Sequence, residues 1–221
     1  TRDTEKLVRE AQAEVDKAKE TLTVKAQALK KVRVAAAPKL CDAVTKQMSH
    51  LQMGSAQIEL NFEDLPFEQW NKVGSTKIEL MYKPSAQMTA RPLRKIASGG
   101  EVSRVMLACK VVLGESDVCD TLVFDEVDAG VGGATAVALA EVLAQLAKTH
   151  QVIVVTHLPQ VAVMASKQYV VSKTEEHNAL PVTSLTEVSG TQREEEIARM
   201  LSGSITEASL AHAHELLSEV R

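Results

Sequence analysis

The sequence predicts an α/β fold in which largely parallel, buried strands follow a long coiled-coil helix. Three observations lead there. Alanine and valine are abundant while aromatic residues make up only 3% of the 221, a composition suited to helices packed on a buried sheet rather than to an all-β sandwich. Two short apolar runs, Thr121-Leu122-Val123-Phe124 and Gln151 to Val155, flank a helical stretch, the order expected of a right-handed parallel crossover. Up to about Ala37 the chain is charged and free of glycine. There Val8, Ala11, Val15, Ala18, Leu22, Leu29 and Val32 fall at alternating steps of three and four, broken only by Lys25, which reads as a heptad seam.

Taken in order, the helix of the arm is expected to be interrupted at Pro38 and to resume over about Ala43 to Gln52, ending near Gly54. Residues Gln57 to Phe62 and Lys77 to Tyr82 alternate polar and apolar side chains around a loop with Pro66 and Gly74, and so predict an antiparallel pair. Ser98-Gly99-Gly100-Glu101 then opens an apolar helical pattern running through Val102, Val105, Met106, Cys109 and Val112 to Gly114. The run at residues 121–124 ends in Asp125-Glu126. A glycine cluster from Gly130 to Gly133 precedes a helix from about Ala134 to Lys148, and the second buried strand ends in Thr156-His157. A further strand over Gln168 to Ser172, a polar segment, and helices around Glu194 to Leu201 and Glu207 to Val220 complete the chain, with no internal repeat. Two parts are expected: residues 1–53, an arm segment with a helical connection, and residues 54–221, a globular lobe.

Bulk properties narrow the function classes. A hydrophobic content of 45% over this length can bury a sizeable core, and a net charge of -4 supplies no global basic field to gather nucleic acid, although a local patch remains open. Cys41, Cys109 and Cys119 show neither CxxC pairing nor zinc-ligand spacing, which predicts reduced structural thiols. No apolar stretch reaches the roughly 20 residues of a membrane span, and no signal-like segment opens the chain, so a soluble, cytoplasmic protein without membrane partners is expected.

The chemistry-bearing residues sit at strand and helix ends. Asp125 and Glu126 follow four apolar residues, which places two carboxylates where α/β sheets bind ligands, beyond the carboxyl ends of the strands. There the first acid can help hold Mg²⁺ and the second can orient and deprotonate a water attacking a γ-phosphate; the competing reading is a helix cap or a solvated turn. The turn at Ser98, Gly99 and Gly100 lets backbone N–H groups approach an anion at the positive end of a helix, or simply caps that helix through Ser98. His157 can hydrogen-bond a phosphate from the same sheet end, or serve as a satisfied edge residue.

Taken together and in order, Ser98-Gly99-Gly100-Glu101, Asp125-Glu126, Asp128 and His157 resemble the signature motif, Walker B, D-loop and switch histidine of ABC-type ATPases. The longer strings Ile96 to Ala108, Val123 to Gly133, Val155 to Ala162 and Glu196 to Leu201 resemble the RecN family of SMC-like ATPases over roughly residues 91 to 221. Departures occur at Ser85-Ala86-Gln87, where that family commonly has Asn-Pro-Gly, and at Val102, often leucine. The resemblance implies the C-terminal lobe of an ABC/SMC-type P-loop ATPase head, preceded by part of the returning coiled-coil arm. No GxxxxGK[ST] phosphate cradle occurs in the chain, and the family carries it in an N-terminal lobe, so the expectation is a fragment largely inactive by itself.

The same resemblance implies ATP and Mg²⁺ as ligands. Asp125 would coordinate the metal, Glu126 would be the catalytic base, and His157 would contact the γ-phosphate. Ser98, Gly99, Gly100 and Glu101 would reach ATP bound mainly to a second head, and Asp128 would link the two sites. The implied partners are DNA, a second head in a homodimer, and the protein's own N-terminal lobe, in double-strand break repair and recombination. Three rivals stay open. Another SMC-like ATPase would share both motifs and arm, a transporter nucleotide-binding subunit shares the motifs but not the heptads ahead of the signature, and a non-catalytic coiled-coil interaction module would use the acids only as caps.

Overall fold

A single helix, α1, spans Arg2–His50 in the computed structural model, which describes residues 2–116, 119–174 and 182–220. Pro38 lies inside it, so the expected interruption does not occur. Proline removes one helical donor and crowds the preceding turn at about 3 kcal/mol. Burial of Ala37, Cys41 and Val44 around and after Pro38 offsets that cost, and Thr45 Oγ1 accepts the N–H of Ile58 at 3.4 Å.

The chain divides into two units, Thr1–Lys46 with Ser55–Lys95, and Gln47–Gly54 with Ile96–Arg221. In the first unit, strands β1 (Gln57–Asp64) and β2 (Thr76–Lys83) pair antiparallel with Leu60 opposite Leu80, and the short β3 (Arg91–Pro92) joins the edge of β2. Alternation sets which faces are buried: Ile58 and Tyr82, opposite one another, are both buried. Polar groups of α1 hold the hairpin. Lys30 Nζ lies 2.6 Å from Asp64 Oδ2, and Arg33 Nη1 donates to Val73 O at 2.8 Å. Elsewhere along α1, Val8, Val15, Leu22, Leu29 and Val32 are exposed.

In the second unit, helix α2 (Gly99–Leu113) precedes β4 (Thr121–Phe124), α3 (Ala134–Leu146) and β5 (Gln151–Val154), and β4 and β5 pair in parallel with Val123 opposite Ile153. Val105 and Leu107 of α2, Leu122 and Phe124 of β4, and Leu139 and Leu143 of α3 are all buried. The apolar runs predict burial on both strand faces, but among the described residues only one is covered: Val123 is 65% exposed and Val155 58%. Leu122 and Phe124 point to the covered side, and the period of two sends Val123 to the other.

Next, the short helix α4 (Pro159–Ala162) leads to an antiparallel hairpin of β6 (Gln168–Thr174) and β7 (Val182–Val188), and then to α5 (Gly190–Ser202) and α6 (Glu207–Glu219). β7 falls in the segment expected to be merely polar. Its Thr, Ser and Glu residues pair across the hairpin through backbone hydrogen bonding that a hydrophobic pattern does not reveal. Ala162, Val163, Ile197, Ala198 and Ala213 form a separate small core with Met200, Leu201 and Leu217 packed on it. Arg193 donates to the carbonyls of Ala162, Val163 and Ala165 and so closes the end of α4.

Candidate functional site

Every site residue read from the sequence lies in the second unit. Ser98 has extended backbone angles and its Oγ accepts the N–H of Glu101 at 3.3 Å, so it is the N-cap of α2. Gly99 and Gly100 form the first turn, and their lack of side chains is used at close range. A Cβ on Gly99 would overlap the Glu126 carboxylate, and one on Gly100 would come within 2.9 Å of Ala129 Cβ and 3.1 Å of two backbone carbonyls. The N-terminal turn of α2 and the segment after β4 are therefore in direct contact.

That segment does not cap a helix, because α3 begins only at Ala134 with Gly133 as its N-cap. Residues 125–131 instead form successive turns, with Ala129 N–H on Glu126 O at 3.0 Å and Val131 N–H on Asp128 O at 3.1 Å. Glu126 has φ of 56°, a left-handed conformation that costs a non-glycine residue on the order of 1 kcal/mol. The inversion sends neighbouring side chains to different environments. Asp125 and Glu126 are exposed, Val127 is fully buried, and Asp128 is only 3% exposed.

The buried Asp128 carboxylate is occupied within its own chain. Its Oδ2 accepts from Thr156 Oγ1 at 2.5 Å and from the backbone N–H of His157 at 3.0 Å, and it lies 3.1 Å from His157 Nδ1. The structure thus joins Asp128 and His157 directly, while the His157 ring stays largely exposed. Thr156 Oγ1 also accepts the N–H of Leu158, fixing the turn into α4. Sequence reasoning did not assign roles to Ser103, Arg104 or Thr156. Ser103 Oγ donates to Asp125 O at 2.8 Å, and Arg104 Nη1 donates to Val127 O at 3.2 Å and to Ala129 O at 3.0 Å. For Ser103 and Arg104 the available signal was an adjacent polar pair set between Val102 and Val105 in α2.

The residue set fits a magnesium nucleotide. No group of three or more His, Cys, Asp and Glu side chains among the described residues could hold a metal unaided. One exposed carboxylate, Asp125, suits Mg²⁺, which is usually held by one or two carboxylates together with waters and substrate phosphates. At the start of α2, Gly99 and Gly100 present no side chain to an approaching anion.

No family model matches the chain. Among solved structures, it is similar to the Smc head domain with a coiled coil and joint from Pyrococcus yayanosii, with a TM-score of 0.55 and 18% identity over 96% of this chain and 34% of that one. The Smc head domain with an extended coiled coil from Pyrococcus furiosus, solved with the C-terminal domain of ScpA, gives 0.53 and 20% over 98% of this chain and 45% of that one. The chain therefore shares the fold of these Smc head domain structures over nearly its whole length.

The sequence resolves the branch. The chain is 40% identical to the DNA repair protein RecN of Streptomyces coelicolor over 220 residues, 95% of this chain and 38% of the relative. It is 42% identical over 207 residues to that of Deinococcus radiodurans, covering 94% and 36%, and 48% identical over 145 residues to that of Treponema pallidum, covering 65% and 25%. The chain belongs to the RecN family, and it spans a little over a third of the length of the first two of these relatives.

Proposed function

We propose that this chain is the C-terminal part of a RecN-type ATPase acting in DNA double-strand break repair and recombination, through ATP-driven pairing of two heads. The observation that carries the reading is the meeting, in one unit, of the α2 glycine turn, the exposed Asp125 and Glu126, and an Asp128 bonded to His157. When bound, Mg²⁺ would neutralise phosphate charge beside Asp125. Glu126 would accept a proton from water as the water oxygen bonds to the γ-phosphorus; the bond from that phosphorus to the bridging oxygen breaks, and ADP and phosphate leave. His157 would donate to the γ-phosphate, and Ser98, Gly99, Gly100 and Glu101 would contact a nucleotide seated chiefly on the second head. ATP contacts both heads only when they are closed, so its binding favours closure and its hydrolysis releases it. DNA, a second head and the N-terminal lobe are the proposed partners, in the cytoplasm; no described helix is long and apolar enough to cross a membrane.

The test compares steady-state ATP hydrolysis and ATP-dependent dimerisation of the full-length protein with those of this chain. Turnover and dimerisation by the full-length protein, with negligible turnover by the chain, are expected because positioning of the phosphates dominates phosphoryl transfer. Turnover by the chain alone would overturn the assignment of an incomplete site. A full-length protein that neither hydrolyses ATP nor dimerises would overturn the ATPase reading.

A further inference from the structure

Across residues 125–129 the five backbone carbonyls alternate between two sets of donors. The carbonyls of Asp125, Val127 and Ala129 receive the side chains of Ser103 and Arg104, adjacent residues of α2. Those of Glu126 and Asp128 receive the turn's own amides, from Ala129 and Val131. The left-handed Glu126 is the kink in this segment, and both carbonyls that flank Asp128 are held by a single nitrogen, Arg104 Nη1. Close packing completes the attachment, since Gly100 meets Ala129 without room for a methyl group and the Val127 side chain is fully buried. Asp128 carries the connection onward to Thr156 and His157.

We propose that Arg104 is a positioning residue, which makes α2, the turn bearing Glu126 and Asp128, and His157 move as one body within a head. Its guanidinium touches no reacting atom. It fixes the angle at which Glu126 and Asp128 leave the turn, because charge-assisted bonds to the carbonyls on both sides of Asp128 restrain rotation of that peptide segment. On the proposed ATPase reading, on which this inference rests, contact of the α2 glycine turn with a nucleotide on the second head would then reset the base and the histidine of the first. The apolar packing of Val127 alone holds the turn near α2 but leaves this rotation unrestrained.

The experiment uses the full-length protein with Arg104→Ala and Arg104→Lys. It measures kcat and KM for ATP, the Kd of a fluorescent ATP analogue, the melting temperature, and hydrogen exchange over residues 121–133 and 154–160. For Arg104→Ala the expected result is a fall in kcat of about tenfold or more with KM and Kd within about twofold, as loss of positioning rather than of ground-state binding requires. Exchange should rise in both segments together. Arg104→Lys, whose ammonium can donate to both carbonyls, should recover about a third or more of the lost turnover. Unchanged kcat in Arg104→Ala, or a loss of affinity and melting temperature in step with kcat, overturns the proposal, as does faster exchange confined to residues 121–133. If the wild-type protein does not turn over ATP, the ATPase reading falls, and the exchange of the two segments alone decides whether Arg104 couples them.

Discussion

His157 Nδ1 lies 3.1 Å from Asp128 Oδ2, so the histidine that follows β5 is held by the acid that follows β4. The same oxygen takes the His157 backbone N–H and the Thr156 hydroxyl, and its carboxylate is buried. The two strand ends are thereby joined by side chains as well as by the parallel β4–β5 pairing.

Removing that carboxylate strands its donors. Asp128→Ala in the full-length protein is expected to lower stability by about 1–3 kcal/mol, because buried or half-buried donors lose their acceptor. Thr156→Val should cost less, and the double variant should be less destabilised than the sum of the two, since both remove one network. Urea unfolding of the three variants measures this. Strict additivity would show that Asp128 and Thr156 act independently.

Glu126→Gln keeps the shape and hydrogen-bonding capacity of the side chain but removes its basicity. Turnover of the full-length protein should fall by at least about 10², the lower end of general-base assistance, while ATP-induced head dimers live longer. Asp125→Asn should weaken nucleotide binding as well, through the metal. ATPase rate and dimer lifetime, measured on both variants in one buffer, separate the two roles. Near-normal turnover in Glu126→Gln would remove it as the base.

The two glycines that open α2 should fail differently. A methyl group at Gly99 meets the movable end of Glu126, whereas one at Gly100 meets Ala129 Cβ and the carbonyl oxygens of Ala129 and Glu126. Gly99→Ala is therefore expected to reduce turnover with a stability change below about 1 kcal/mol. Gly100→Ala, which cannot be accommodated without moving backbone, should destabilise by about 1–3 kcal/mol. Thermal melting beside ATPase rates distinguishes them; equal melting temperatures would contradict the packing at Gly100.

The three cysteines differ in access. Burial pushes the Cys41 thiol above its ordinary range, with Asp42 and Glu59 adding to the effect against a backbone hydrogen bond at Leu60, while Cys119 is exposed. The thiolate is the reactive form, so Cys119 should be alkylated first near neutral pH, and Cys41 only slowly until pH rises well above the usual thiol range or the chain unfolds. Mass mapping of a maleimide time course checks the order. Early labelling of Cys41 would show that α1 opens locally around it.

Much of the secondary structure could be read in the residues themselves. The apolar run at 121–124 ending in Asp125-Glu126, the Ser98 cap and the alternation at 57–62 and 77–82 are local patterns, and each became an element within a few residues of its expected bounds. The order of the motifs was visible for the same reason, since a strand end or a helix start is encoded by its neighbours. Tertiary structure decided the rest. Pro38 stays helical because burial of Ala37, Cys41 and Val44 outweighs its local cost, and Val123 faces outward because nothing described covers its side of β4. The inward turn of Asp128 follows from the left-handed Glu126 and from donors 28 and 29 residues away, and the carbonyls of Asp125, Val127 and Ala129 are held by side chains more than twenty residues earlier. Hydrophobic period reports which faces seek cover, but hydrogen bonds closed across such separations depend on where the fold brings the chain together.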